Sequence, residues 1–259
     1  MKYIRMFFLL ICSMVLVYAC SSDSDSNGNG GNTANGNNRN LGASANELLS
    51  GATFNELVIE LAYVDGFKPN QASIANLTAF LSARLNKPNG IRIVEQEIPA
   101  QAFGTYTIAE VRQVEDTFRT QFNTASTIAV FVLFAEQDSE SNSGNNVVLG
   151  TAYRNTSLVM FQKTIENFSG GFNQPNRTTV ETAVYEHEFG HILGLVNVGT
   201  PLQSSHEDTA SSGHCNVADC LMQARLESGN IIDMMSMLNN GVPQLDAQCI
   251  ADLRANGGR

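Results

Sequence analysis

Apolar positions along residues 54–253 recur with two different periods. Within 54–64, Leu57, Ile59, Leu61 and Tyr63 alternate with their neighbours, which predicts a strand. Asp65-Gly66 and Lys68-Pro69-Asn70 break that strand. Ile74, Leu77, Leu81 and Leu85 then recur at helical spacing until Lys87-Pro88-Asn89-Gly90 stops the helix. Residues 91–98 predict a second strand and 108–122 a second helix, with Val111, Val114 and Phe118 on its stripe. Residues 127–134 are almost unbroken apolar, as a strand covered on both faces should be. Residues 147–153 and 158–161 predict two short strands around an Arg154-Asn155-Thr156 turn, and a helix over 178–193 follows. The remainder is irregular to about residue 228, then apolar again at 231–238 and 245–253. Strands alternating with helices imply an α/β fold on a twisted, mostly parallel sheet, with one short strand as an antiparallel edge.

The first 46 residues follow neither period. Lys2 and Arg5 precede an apolar run over residues 6–19, the layout of a secretory signal and too short for an ordinary membrane span. Val17-Tyr18-Ala19-Cys20 at its end resembles the lipobox of bacterial lipoproteins, in which the cysteine is lipidated. Cleavage near Ala19 without lipidation is the alternative. Residues 21–40 are almost wholly Ser, Asp, Asn and Gly, a composition too polar to offset its ordering entropy. The expected division is a signal over 1–19, a lipid-bearing Cys20 with a flexible tether over 20–46, and one domain over 47–259. As a random coil the polar segment would span roughly 25 Å. The expected location is the bacterial outer membrane or cell surface, with periplasmic or secreted protein as the alternative.

The net charge of −10, without a basic cluster, argues against a nucleic-acid partner. Of five cysteines, Cys215, Cys220 and Cys249 fall in the domain. In an oxidising compartment one pair is expected to bridge, Cys215–Cys220 being nearest in sequence, with a pairing to Cys249 left open.

Tyr185-Glu186-His187-Glu188-Phe189-Gly190-His191 contains H-E-x-x-H, and two of the chain's four histidines lie in it. Positions i and i+4 share a helix face, so both imidazoles can reach one metal ion. Glu188 lies at the edge of that site, where it can take a proton from water the metal activates. Thr178 and Glu181 have capping-box spacing, and Gly194 stands where a left-handed residue would end the helix.

With Gly194, the pattern H-E-x-x-H-x-x-G at 187–194 resembles the metzincin clan of zinc endopeptidases, and HEFGHILGL is most similar to the matrixins. The resemblance implies a twisted five-stranded sheet, Zn2+ as cofactor and an edge strand, here near 147–153, that binds extended substrate. It also implies a third ligating histidine three residues after the glycine, where this chain has Asn197. Asp219-Cys220-Leu221-Met222 resembles the clan's methionine turn, in which Met222 would floor the site without ligating. Matrixins place the third histidine about eight residues before that methionine, which here selects His214; His206, Asp208 and Asn197 are the alternatives. A Cys215–Cys220 bridge would stiffen this turn. The expected function is zinc-dependent peptide-bond hydrolysis with Glu188 as general base, acting on a protein or peptide. Two rivals stand beside it: an inactive metzincin-like surface binding module, and a zinc hydrolase for another substrate class.

Overall fold

A computed structural model describes residues 34–259. The expected signal, Cys20 and the tether up to residue 33 lie outside the described residues. Residues 34–46, expected to be tether, are instead packed on the domain. Asn37 is buried, and its side-chain amide donates to Asn123 Oδ1 (2.9 Å), the Ala129 carbonyl (2.9 Å) and Thr156 Oγ1 (3.0 Å). Composition misses this because side-chain amide hydrogen bonds hold much of the segment, with only Leu41 and Ala45 adding apolar contact.

A short helix α1 (Ala45–Leu49) leads into β1 (Glu56–Val64), α2 (Gln71–Ser82), β2 (Ile91–Ile98), α3 (Ile108–Phe118) and β3 (Thr127–Phe134). The strands β4 (Asn146–Val148), β5 (Gly150–Arg154) and β6 (Ser157–Met160) follow, then α4 (Gln162–Asn167) and α5 (Arg177–Ile192). The last third holds β7 (Ser228–Asn230), α6 (Ile231–Leu238) and α7 (Ala247–Ala255). Five strands form one sheet in the order β2-β1-β3-β6-β5. The β1–β2, β1–β3 and β3–β6 ladders are parallel, and β5 runs antiparallel to β6 at the edge. The mostly parallel five-stranded sheet with an antiparallel edge is the expected architecture.

Alternation along β3 explains its unbroken apolar run. Ile128, Val130, Val132 and Phe134 enter the larger core with α2 and α5, while Phe131 and Leu133 enter a second core under α3. Buried polar groups close the sheet's margins. Glu60, buried in β1, accepts from the Thr120 and Gln121 amides and the Thr120 hydroxyl. Lys87 donates to the carbonyls of Glu47 (2.7 Å), Ser50 (2.6 Å) and Phe54 (2.6 Å), fastening α1 to the mouth of β1.

The helix α5 starts two residues earlier than its capping-box spacing implies. Asn176, not Thr178, is the N-cap, and its Oδ1 accepts from the Thr179 amide. Glu181 is withdrawn from capping because it is buried, accepting from the Asn70 amide, Ser73 Oγ and Gln162 Nε2. That carboxylate ties α5 to α2 and α4 and fixes the helix behind the edge strand. Among the described residues, no helix is long and apolar enough to cross a membrane.

Candidate metal centre

Both motif histidines lie on the last turns of α5 and face the same way, His187 wholly buried and His191 nearly so. Their Nε2 atoms stand 3.1 Å apart. His187 Nδ1–H donates to the Leu221 carbonyl at 2.7 Å, which selects the tautomer with a bare Nε2 lone pair. Burial first, and then the neighbouring His191, push the His187 pKa down to about 3, so this imidazole is neutral and free to ligate.

The chain then turns sharply. Gly194 adopts φ +74°, and a β-carbon there would meet Ala45 Cβ and the Thr200 nitrogen at 2.7 Å. Val196 (φ 52°) and Asn197 (φ 68°) continue in left-handed conformation, unusual for a β-branched residue. This run swings Asn197 away from the histidines, and its amide donates to Glu207 Oε2 at 3.3 Å. Asn197 is therefore not brought to the metal-ligand cluster.

His214 is. Its ring centroid lies 5.4 Å from that of His187 and 4.9 Å from that of His191. The structure thus joins the two helix histidines to the residue selected by spacing from Met222. The other candidates go elsewhere. His206 is buried in a different part of the C-terminal region, hydrogen-bonded through Nε2 to Asp252 Oδ2 at 2.7 Å. Asp208 Oδ1 is used in its own turn, accepting from the Ala210 amide.

A fourth group went unread in the sequence. Glu227 Oε2 lies 3.0 Å from His214 Nε2 and 3.6 Å from His191 Nε2, and the four residues' ligand atoms fall within 4.8 Å of one another. It stands five positions beyond Met222 in no recognisable pattern, so only the fold could reveal it. Burial alone would push its carboxyl up, but hydrogen bonds from His191 and His214 hold it well below the usual carboxylate range. Three imidazoles and a carboxylate aimed at one point are a donor set for a borderline cation such as zinc.

Glu188 is wholly buried beside this cluster, and neither carboxylate oxygen has a well-formed hydrogen bond. Burial, and then the charge of Glu227, push its pKa well up, with only a weak opposing pull from the Ala152 backbone. A buried carboxyl without a partner is costly and marks a site built for something besides stability. The edge strand runs directly over it: a β-carbon on Gly150 would fall 2.8 Å from Glu188 Cγ.

Met222 is fully buried beneath α5, so close that a β-carbon on Gly190 would meet its sulfur at 2.2 Å. The expected floor under the histidines is therefore in contact with the helix that carries them. The expected Cys215–Cys220 bridge is absent: Cys215, Cys220 and Cys249 are free thiols. Cys215 N–H donates to the Met222 carbonyl at 2.7 Å, and its sulfur is directed to His206 and Asp246, leaving Cys220 beside Cys249 at 3.8 Å.

No family model matches the sequence, and a search of curated proteins finds no match. Among solved structures, archaemetzincin from Methanopyrus kandleri is similar, with a TM-score of 0.50 at 15% identity. The match covers 78% of this chain and 96% of that one. At this identity the likeness establishes the fold. The described domain therefore shares the archaemetzincin fold, with its histidine cluster built from α5 and the loop ahead of Met222.

Proposed function

We propose that this protein is a zinc-dependent endopeptidase whose metal is held by His187, His191 and His214, with Glu188 as general base. The observation that carries the reading is the convergence of three neutral-capable imidazoles beside a buried, unpartnered carboxylate. The archaemetzincin-like fold supports it. When bound, zinc would supply Lewis acidity, polarising the scissile carbonyl and making water more acidic. Glu188, ionised once the cation is bound, would receive the proton from that water and return it to the leaving amine. Leu221, through its carbonyl, orients His187, and Met222 closes the floor against bulk water. An extended peptide paired along the outer edge of β5 would lie across Glu188, with backbone hydrogen bonds supplying affinity.

Glu227 favours a second reading. A fourth protein ligand closes a zinc site, whereas hydrolytic sites keep a position open. The segment bearing Glu227 is also latched: β7 pairs antiparallel with β4, and Leu149 N–H donates to the Glu227 carbonyl at 2.9 Å. On this reading the domain is an inactive binding module, or a peptidase whose open position is filled until the latch releases.

Hydrolysis of an unfolded protein by wild type, Glu188→Ala and Glu227→Ala, with and without chelator, separates these readings. The expected result is chelator-sensitive activity that falls at least about a hundredfold in Glu188→Ala and rises in Glu227→Ala. Activity that survives Glu188→Ala sinks the mechanism. Absence of activity in both wild type and Glu227→Ala, with zinc bound, favours the binding module. Attachment through Cys20 belongs to the same proposal and predicts that Cys20→Ser moves the protein out of the membrane fraction.

A further inference from the structure

Residues 34–46 pack beside the turn that follows the edge strand, and arginines gather there. Arg39 N–H donates to Asn155 Oδ1 at 2.9 Å, and Asn155 N–H donates to the Arg39 carbonyl at 3.1 Å. A cavity of about 390 Å³ opens beside this contact, lined by Arg39, Arg112 and Arg154 with Asn38 and Asn40. No acidic residue lines it.

Charges around the cavity do not cancel. Arg39 pairs with Glu47, Arg119 with Glu115, and the buried Arg154 with Glu115 and Asp116 at 2.7 and 2.8 Å. Those carboxylates answer those guanidiniums, and Arg112 is left over. Exposed on α3, Arg112 has no carboxylate partner among the described residues, and its Nη2 donates to the Tyr153 carbonyl at 3.2 Å. In a chain of net charge −10, an unpaired arginine facing a cavity free of acids makes a local positive field.

The bond from Arg112 also sets a boundary on the edge strand. The register of β5 against β6 shifts between Ala152 and Arg154, leaving Tyr153 as the extra residue. With its carbonyl taken by Arg112, Tyr153 is a poor acceptor for an added strand. A peptide lying on β5 can pair along Gly150 to Ala152, and past that point it meets a guanidinium in place of backbone. We propose that this end of β5 is a subsite for an acidic side chain of the substrate, read by Arg112 and backed by Arg154 and Arg39.

Strand geometry places that side chain in the peptide. Antiparallel addition is the more stable mode, so the peptide would run from the Arg154 end toward Gly150. Glu188 lies against Gly150, which puts the cleaved bond at that end. At about 3.3 Å per residue, Tyr153 stands roughly 10 Å away, or about three residues N-terminal to the cleaved bond. A carboxylate there would accept two parallel N–H···O bonds from the Arg112 guanidinium. This placement rests on the peptidase reading above, whereas the arginine site itself does not require hydrolysis.

Two measurements test the subsite, one with turnover and one without. Mass mapping of the cuts that zinc-loaded wild type makes in an unfolded protein is expected to show Asp or Glu enriched about two to four residues before the cleaved bond. Arg112 is exposed, so its replacement spares the core; Arg112→Gln should abolish the enrichment while other cuts continue, and Arg112→Glu should favour Lys or Arg instead. Enrichment retained in Arg112→Gln, or acids enriched only after the cleaved bond, would overturn the proposal. The second measurement is the anisotropy of short labelled neutral peptides on zinc-loaded Glu188→Ala, with one glutamate or one glutamine in the N-terminal half. The glutamate peptide is expected to bind about tenfold tighter, and adding Arg112→Gln should remove the difference. Equal affinities would overturn the subsite whether or not wild type cleaves. A wild type that cuts nothing, with the affinity difference present, would support the subsite and remove the peptidase reading.

Discussion

Gly190→Ala probes the contact between the histidine helix and the methionine beneath it. In the middle of a helix, alanine is favoured over glycine by about 1 kcal/mol, so propensity alone predicts a more stable protein. The structure predicts the opposite. The added methyl would sit 2.2 Å from Met222 Sδ and 3.0 Å from its Cε, against an ordinary contact of roughly 3.7 Å. Met222 is wholly buried, so its side chain cannot retreat into solvent. Overpacking of this kind costs about 1–3 kcal/mol, which leaves a net loss of about 1 kcal/mol. Urea unfolding of the chelated protein measures it. In a double-mutant cycle, Met222→Ala alone should cost about 2–4 kcal/mol, and the pair should cost about 1–2 kcal/mol less than the sum, because truncation clears the space. The strain should also reach the metal: moving the turn draws the Leu221 carbonyl off His187 Nδ1 and should weaken zinc binding about tenfold or more. A Gly190→Ala protein about 1 kcal/mol more stable than wild type, or an additive cycle, would refute the packing argument.

Three further outcomes follow from other parts of the structure. His214→Ala should lose the zinc at the α5 site while Asn197→Ala and Asp208→Ala retain it, as read by metal content; retention in the first would remove His214 from the ligand set. Lys87→Met leaves three carbonyls without their shared donor and should destabilise the fold by about 2–4 kcal/mol in chemical unfolding; a change below 0.5 kcal/mol, roughly the scatter of surface substitutions, would show that solvent replaces the ammonium. Glu186, pushed up from 4.5 to about 7 by burial against the pull of Arg84, retains in the native state a proton that the unfolded chain releases. Stability should therefore fall as pH rises through 4.5 to 7, and Glu186→Gln should remove that slope, gaining about 1–2 kcal/mol at pH 8; parallel stability curves for the two proteins would contradict it.

The legible parts of this protein were those set by local chemistry. Alternation in 54–64, the unbroken run in 127–134 and the helical stripe in 74–85 required no knowledge of neighbours, because burial imprints its period directly on the chain. The pairing of His187 with His191 and the place of Glu188 were equally local, following from helix geometry alone. Residues 34–46 failed the same test because side-chain amides, not apolar surface, hold Asn37 in place.

The sequence by itself determined the order of the five main-sheet strands with α2, α3 and α5, the sheet type, and the shared helix face of His187 and His191 with Glu188 beside it. Tertiary structure alone decided the rest of the site. His206 and His214 are both loop histidines near Met222; the spacing implied by the methionine-turn resemblance favoured His214, but only the fold shows that His214 turns to α5 and His206 to Asp252. The direction is set by the left-handed residues Gly194, Val196 and Asn197 and by the Cys215–Met222 backbone bond, which together swing His214 inward and Asn197 outward. Glu227 arrives through the pairing of β7 with β4, and the three thiols meet His206 and Asp246 only because α7 packs on the same loop. These last two arrivals depend on where distant backbone segments cross in space, and residue spacing along the chain carries no record of that.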